Sequence, residues 1–152
     1  MPTTRTLTYS TQITHIGSGA SMAAGAMSGT ADISTALSST NLGRYPLADI
    51  AVFISTAASV AAASNSFVLY RRDINFDGTN DEPAPSTAAP AWRQHVVGVG
   101  QVPPWTAASS GYYLFSDVPL SDQCEFYIEN TLNATVAAGW TMKVTPKTDS
   151  YA

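Results

Sequence analysis

Two runs of strictly alternating apolar and polar side chains, within residues 122–147, constrain this chain more than any other feature. Successive residues of a strand point to opposite faces of a sheet, so each run predicts a half-buried β-strand. A short connection of small and polar residues separates the runs, which favours an antiparallel hairpin. That hairpin would place Phe126 opposite Met142, Ile128 opposite Trp140, and Glu125 opposite Lys143 on the solvent side. The predicted core positions are Cys124, Phe126, Ile128, Trp140, Met142 and Val144.

The rest of the chain continues this β pattern. Its 152 residues suit one domain, and seven or eight short apolar runs are separated by turn residues, with no long amphipathic helix. Charged residues make up only 12% of the chain, which suits flat sheets covered by a partner better than charged helices. We therefore expect an all-β fold, an antiparallel β-sandwich that is jelly-roll-like or immunoglobulin-like.

The first 30 residues differ in composition from the body. Residues 17–31 are almost all small, and their four glycines disfavour a stable helix. The sequence predicts an extended N-terminal arm over residues 1–30, which stands apart from a single β-sandwich domain over residues 31–152. Met22 and Met27 are the large side chains of this low-complexity run, and we expect them to dock on a neighbouring molecule.

Several body segments carry more specific expectations. Residues 47–54 form a nearly continuous apolar run, which predicts a central strand buried on both faces. Residues 66–72, 92–102 and 111–115 are predicted strands, and Gly98 and Gly100 indicate a bulge or a close backbone approach. Residues 31–40 fit either a short strand or one helical turn.

One segment resembles half of a calcium-binding loop. Oxygen-bearing side chains at alternate positions, with Gly78 between them, are what a hard cation such as calcium needs. A full loop would end in a bidentate glutamate at its twelfth position, where this chain has Ala84. The pattern fits an Asx-rich turn better than a calcium site. The candidate ligands are Asp73, Asn75, Asp77, Thr79 and Asp81.

No other pattern indicates chemistry, and we expect no enzyme, no catalytic residue and no cofactor. His15 and His95 lie in different segments without a nucleophile motif, so they are interpreted as surface or interface residues. Glu125 and Glu129 would lie about 13 Å apart on one strand, too far for a glycosidase pair. Cys124 is predicted to be a small buried hydrophobe. An aromatic platform for sugars could be built from Trp92, Trp105 and one of Tyr112 and Tyr113, since these two neighbours point to opposite faces of a sheet. Core and interface packing is favoured for all four.

Charge and hydropathy exclude two partner classes. The net charge is −4 and no basic cluster is present beyond Arg71 and Arg72, so we expect no nucleic-acid partner. Residues 50–70 lack charge, but their serines and asparagine argue against a membrane span. The N-terminal sequence lacks the apolar region of a signal peptide, which predicts synthesis in a cytoplasm.

Three phrases resemble small structural proteins of tailed bacteriophages that decorate or cement the capsid: LYRRDINFDGTNDEPAPS, DVPLSDQCEFYIEN and AGWTMKVTPKT. The resemblance covers about residues 50–148 and implies a non-enzymatic virion protein with a β-sandwich body. It implies synthesis in the host cytoplasm and a place on the outer capsid surface. The implied partners are the major capsid protein and further copies of the chain, as a dimer or trimer. The alternative is a carbohydrate- or receptor-binding sandwich of a phage tail or fibre.

Under this interpretation the protein clamps capsomer junctions, and its N-terminal arm adds a strand to a neighbouring subunit. The contact surface is expected in that arm, in the loop at residues 73–90, or along the outward row of Glu125, Tyr127 and Lys143.

Overall fold

The protein is an antiparallel β-sandwich, as the sequence predicts. The computed structural model describes residues 5–57, 66–75, 77–86, 95–101 and 109–151. Within them lie a 3-10 turn at Thr30–Asp32, a four-residue helix, α1, at Ser39–Leu42, and nine strands. The strands are β1 (Arg5–Tyr9), β2 (Ile13–Gly19), β3 (Leu37–Ser38), β4 (Leu47–Ala57), β5 (Ser66–Asp73), β6 (Val96–Gln101), β7 (Ser109–Pro119), β8 (Gln123–Asn130) and β9 (Trp140–Tyr151).

The strand order is that of a jelly roll. Sheet A runs β1–β9–β4–β7, with β2 also paired to β9, and sheet B runs β3–β8–β5–β6. Strands β1 and β2 pair with successive halves of the same edge of β9, so together they occupy one strand position. The chain then crosses from one sheet to the other at every connection except β5 to β6. Eight positions in two four-stranded layers give the double-sheet jelly-roll architecture.

The predicted hairpin is wrong in its pairing and right in its faces. Strand β8 pairs with β5 and β3 in sheet B, whereas β9 pairs with β1, β2 and β4 in sheet A. The two strands face each other across the core, and all six predicted inward side chains are buried. Alternation determines which side of a strand is apolar, but a neighbour in the sheet and a partner across a sandwich produce the same pattern. Glu125 accordingly pairs with Arg72, at 3.0 Å, and Lys143 lies on the opposite sheet.

Within the predicted separate N-terminal arm, the described residues 5–30 are part of the sandwich. Strands β1 and β2 pair along β9, and in the break between them the carbonyl of Pro146 accepts a 2.8 Å hydrogen bond from the Ser10 amide. Ile16 and Met22 are buried in the core of their own chain. Gly19 allows this packing because a Cβ there would lie 2.0 Å from Cε2 of Trp140. The small residues therefore bring the backbone close to a large indole.

The core lies between the sheets, and its buried side chains come chiefly from β4, β5, β7, β8 and β9. Val52 and Ile54 of β4 face this core, but Phe53 between them is 44% exposed, so the expected burial of β4 on both faces is wrong. In the described residues no further layer covers the outer side of sheet A. The largest fully buried side chains include Trp140, Tyr127, Phe67, Phe126, Ile50, Ile54 and Leu69.

Two smaller expectations are settled by the structure. Residues 31–40, left open between strand and helical turn, contribute to the 3-10 turn, to β3 and to the start of α1. The bulge or close approach expected at Gly98 and Gly100 is confirmed on both counts. The register of β6 against β5 shifts between Gly98 and Val96, and the Phe115 and Tyr113 rings of β7 pack against the two glycines. This contact closes one side of the sandwich. Neither of the two short helical elements in the described chain has the length and apolar character to cross a membrane.

Candidate functional site

The outer face of sheet A carries most of the large hydrophobic side chains that are exposed in the described residues. Five of the six large hydrophobic side chains that are exposed in the described residues lie on it. Directly opposite residues of antiparallel strands share a face, so the pairings of β1, β9, β4 and β7 place all five on the same side. They are Leu7, Tyr9, Phe53, Tyr112 and Leu114.

The densest apolar part of this face lies where β4 pairs with β7. Phe53 faces Tyr112 across the strands, and Ala51 faces Leu114. Tyr112 is 76% exposed and Leu114 is 47% exposed. We call Phe53, Tyr112 and Leu114 the sheet A patch. Exposed apolar clusters of this kind mark binding surfaces more often than isolated exposed residues do.

The charges on the same face largely neutralise one another. Lys147 is only 4% exposed, and its Nζ lies 2.5 Å from Oδ1 of Asp49 and 2.8 Å from Oδ1 of Asp117. A bulge in β7 and the left-handed backbone of Asp117 (φ 57°) accompany this contact. Burial opposes the charge on Lys147, but hydrogen bonds to both carboxylates outweigh it and raise its pKa. Tyr9 lies over the same ammonium, 6.0 Å from the ring centroid.

Sheet B presents the opposite kind of outer face, because a polar network covers it. Arg72 of β5 pairs with Glu125 of β8 at 3.0 Å and with Asp81 of the following loop at 3.3 Å. It also donates to the Glu82 carbonyl and to the hydroxyl of Tyr127, and Tyr127 donates to Glu125. Burial, followed by the hydrogen bond to Glu125, raises the pKa of Tyr127. Two residues of the predicted contact row, Glu125 and Tyr127, thus have their polar groups engaged within the protein.

The candidate calcium ligands form hydrogen bonds within their own loop. Oδ1 of Asp77 accepts hydrogen bonds from the amides of Thr79, at 3.0 Å, and Asn80, at 2.7 Å. These bonds, and one from the Asn80 side chain, which has the largest effect, lower the pKa of Asp77. Asn75, in the left-handed conformation at φ 55°, donates its amide to Asp81 at 3.0 Å. This is the geometry of an Asx-rich turn.

Two carboxylates of the candidate calcium set already have cationic partners. Asp73 accepts from Arg71 Nε at 3.1 Å and from the Ser121 hydroxyl at 2.7 Å. Asp81 pairs with Arg72. Within the described ranges, no three side chains of His, Cys, Asp or Glu lie close enough together to hold a metal ion.

The surface hollows near this loop are polar. One, of about 360 Å³, is lined by residues 73–75 and 121–123. A second, of about 160 Å³, lies beside Arg71, Glu82 and His95, where His95 Nδ1 is 3.1 Å from Glu82 Oε2. Ligand pockets are mostly apolar with a few convergent polar groups, and neither hollow has that character.

The other sequence candidates divide between core and surface. Tyr112 is exposed, whereas Tyr113 turns inward and packs edge-on against Phe115 with ring centroids 4.7 Å apart. Trp92 and Trp105, the other members of the proposed aromatic platform, lie outside the described residues. Cys124 is fully buried, and burial raises the pKa of its thiol. His15 is not a surface residue, because it is completely buried.

The sequence interpretation missed most of the sheet A face. The sequence of β4 did indicate an exposed side. Asp49 and Phe53 point to the same side of the strand, and a charged residue predicts that this side faces solvent. Strand β7 carried no such signal, because its consecutive residues Tyr112, Tyr113, Leu114 and Phe115 are hydrophobic on both sides of the strand.

Comparisons of the chain with protein-family models, with curated proteins and with solved structures find no match. The class defined by fold and surface is thus a jelly-roll β-sandwich with one bare apolar face.

Proposed function

We propose that this protein is a non-enzymatic structural protein of a tailed-bacteriophage virion, which binds the outside of the capsid shell and stabilises it at capsomer junctions. The observation that carries the proposal is the asymmetry of the two outer faces. Sheet B is covered by a polar network, whereas sheet A exposes five large hydrophobic side chains. A surface of this kind gains free energy when a partner covers it.

The size of that gain suits a cement role. Burying an exposed Leu or Phe side chain completely contributes about 1.5–3 kcal/mol, so each half-exposed residue of the sheet A patch contributes about 1 kcal/mol. Repeated over many copies on one shell, such contacts resist separation of the capsomers. The low charge content of the chain, 12%, also suits a protein that covers a surface. Jelly rolls occur in viral capsid proteins and in lectins, which supports the proposal by analogy of fold alone.

The proposal assigns the partner and the location together. The sheet A patch contacts the major capsid protein, and further copies of this chain meet around a capsomer junction as dimers or trimers. The protein is made in the host cytoplasm and resides on the outer surface of the virion. Residues 5–19 act within this body by pairing with β9, so strand addition to a neighbour is no longer part of the mechanism.

A second function is favoured by the aromatic content of the same face. Tyr9, Phe53 and Tyr112 point outward from one sheet, and exposed aromatic rings on a flat sheet can serve as a platform for sugars. This arrangement would suit a carbohydrate- or receptor-binding sandwich on a phage tail or fibre.

Copy number separates the two proposals. Quantitative mass spectrometry of purified particles that carry this protein would count it, and imaging of the same particles would locate it. A cement protein is expected in hundreds of copies distributed over the shell. A handful of copies confined to the tail would contradict the cement proposal and support the receptor-binding one.

A further inference from the structure

His15 occupies an unusual position between the two sheets. It belongs to β2 of sheet A, is fully buried, and lies edge-on to Phe126 of sheet B with ring centroids 6.2 Å apart. Its Nδ1 is 2.8 Å from the Thr35 carbonyl oxygen, and its Nε2 is 3.1 Å from the Phe126 amide nitrogen. A carbonyl only accepts and an amide N–H only donates, so Nδ1 carries the proton and Nε2 accepts. Both bonds form together only when the ring is neutral.

This ring closes part of an otherwise open strand edge. Strand β5 covers one edge of β8, and residues 20–38 and His15 cover the other. Leu37 pairs with Cys124, His15 receives the Phe126 amide, and the Ser28 hydroxyl receives the Ile128 amide at 3.0 Å. Along this edge, the acceptor at Phe126 is a titratable imidazole, whereas the contacts on either side, at Cys124 and Ile128, involve only uncharged groups.

The groups around the ring act on its protonation in opposite directions. Burial lowers the pKa of His15, and this effect is the largest. The Thr35 carbonyl and the negative charge of Glu125, on β8, favour the protonated form to a smaller extent. From β8 the ring also meets the Phe126 side chain and amide. The amides of Ser34 and Thr35 donate to the backbone carbonyl of His15, so the Thr35 carbonyl is the group of this segment that meets the ring.

We propose that His15 is an acid-sensitive latch, which joins β2 to the edge of β8 at neutral pH and releases this edge when Nε2 gains a proton. A protonated Nε2 presents an N–H to the Phe126 N–H, so two donors face each other and the hydrogen bond is lost. The ring then turns away from Phe126, and the edge opens between the contacts at Cys124 and Ile128. The device concerns conformation and does not depend on the partner that the protein binds.

The direction of the pH effect follows from the lowered pKa. The unfolded chain takes up a proton on His15 near the ordinary value of 6.5, whereas the folded protein does so only at a lower pH. The stabilisation is therefore fully present above pH 6.5 and is lost as the pH falls from 6.5 towards the folded pKa.

Amide hydrogen exchange of the whole protein tests the latch, with an internal control. Between about pH 8 and a pH below the titration of the folded His15 imidazole, the protection factor of the Phe126 amide should fall about tenfold, after correction for the intrinsic exchange rate. The Ile128 amide, whose acceptor is the uncharged Ser28 hydroxyl, should keep its protection. Constant protection at Phe126, or an equal loss at Ile128, would overturn the proposal.

Two variants assign the effect to one histidine. His15→Gln cannot gain a proton, so Phe126 protection should become independent of pH, whereas His95→Gln should retain the wild-type dependence. Persistence of the dependence in H15Q would refute the latch. If H15Q fails to fold, NMR titration of the wild-type imidazole decides the matter. A His15 pKa below 6.5 that coincides with the loss of Phe126 protection supports the latch, and a pKa at or above 6.5 overturns it.

Discussion

Gly100→Ala should destabilise the protein, because the new methyl group would overlap the ring of Tyr113. Gly100 lies on β6, and Tyr113 of β7 packs its ring directly over the glycine. A Cβ at this position would lie 2.0 Å from both Cε1 and Cζ of Tyr113. The ring cannot simply swing aside, because it also packs edge-on against Phe115. The contact that closes this side of the sandwich must therefore move.

The expected loss can be estimated from two opposing effects. Overpacking of a well-packed site costs about 1–3 kcal/mol, and replacing glycine in a strand returns about 0.5–1 kcal/mol through lower chain entropy in the unfolded state. Because the new Cβ would lie 2.0 Å from two ring atoms, the overpacking cost falls in the upper part of its range, about 2–3 kcal/mol. The net loss of about 1–2.5 kcal/mol corresponds to a fall of about 2–10 °C in the melting temperature of a chain of this size. Urea unfolding, followed by fluorescence, gives the same quantity at room temperature.

Two further variants make this measurement decisive. Gly29→Ala is the matched control, because the atoms nearest to its Cβ are 3.9 Å away and its φ of −100° suits alanine. Combining G100A with Tyr113→Leu should destabilise less than the sum of the two single changes, since the smaller side chain makes room for the new methyl. Wild-type stability of G100A, or strict additivity in the double variant, would refute the packing that we describe.

Three other outcomes concern the polar contacts. Arg72→Met should lower the free energy of unfolding by about 2 kcal/mol by removing the cation that pairs with Glu125, whereas exposed Arg44→Met should change it by less than about 0.5 kcal/mol. Lys147→Met should cost about 1–3 kcal/mol and exposed Lys143→Met almost nothing. Equal urea midpoints within either pair would contradict these assignments. Added calcium or chelator should leave the melting temperature unchanged, because arginines already pair with two carboxylates of the loop. A rise in melting temperature with calcium would show that the loop binds the ion.

The inward faces of the strands could be predicted from sequence, and their partners could not. Phe126 and Ile128, like Trp140 and Met142, alternate with polar residues and are buried as expected. The pattern is local, because it records only which side of each strand avoids water. Whether β8 and β9 are neighbours or lie in opposite sheets depends on the path of residues 131–139, which the alternation does not encode.

The exposure of side chains that point away from the core was equally hard to predict. Tyr127 and Phe53 both point away from the core, yet Tyr127 is fully buried and Phe53 is 44% exposed. The difference arises because Arg72 and the loop after β5 cover sheet B, whereas sheet A has no such cover in the described residues. Long-range contacts of this kind leave no periodic signal. His15 illustrates the same limit, since its two backbone partners lie 20 and 111 residues away.

The central claim is that the sheet A patch binds the capsid shell, and particle occupancy tests it most directly. Phe53→Ser with Leu114→Ser removes about 2 kcal/mol of apolar contact, or roughly thirtyfold in Kd. The control is Val99→Ser, which changes a 65% exposed residue of β6 in sheet B. Capsid shells that lack this protein are incubated with each variant, and the bound protein is measured by quantitative mass spectrometry. V99S should bind as wild type does, and the double variant should bind far less. Equal occupancy by the double variant and V99S would contradict the claim.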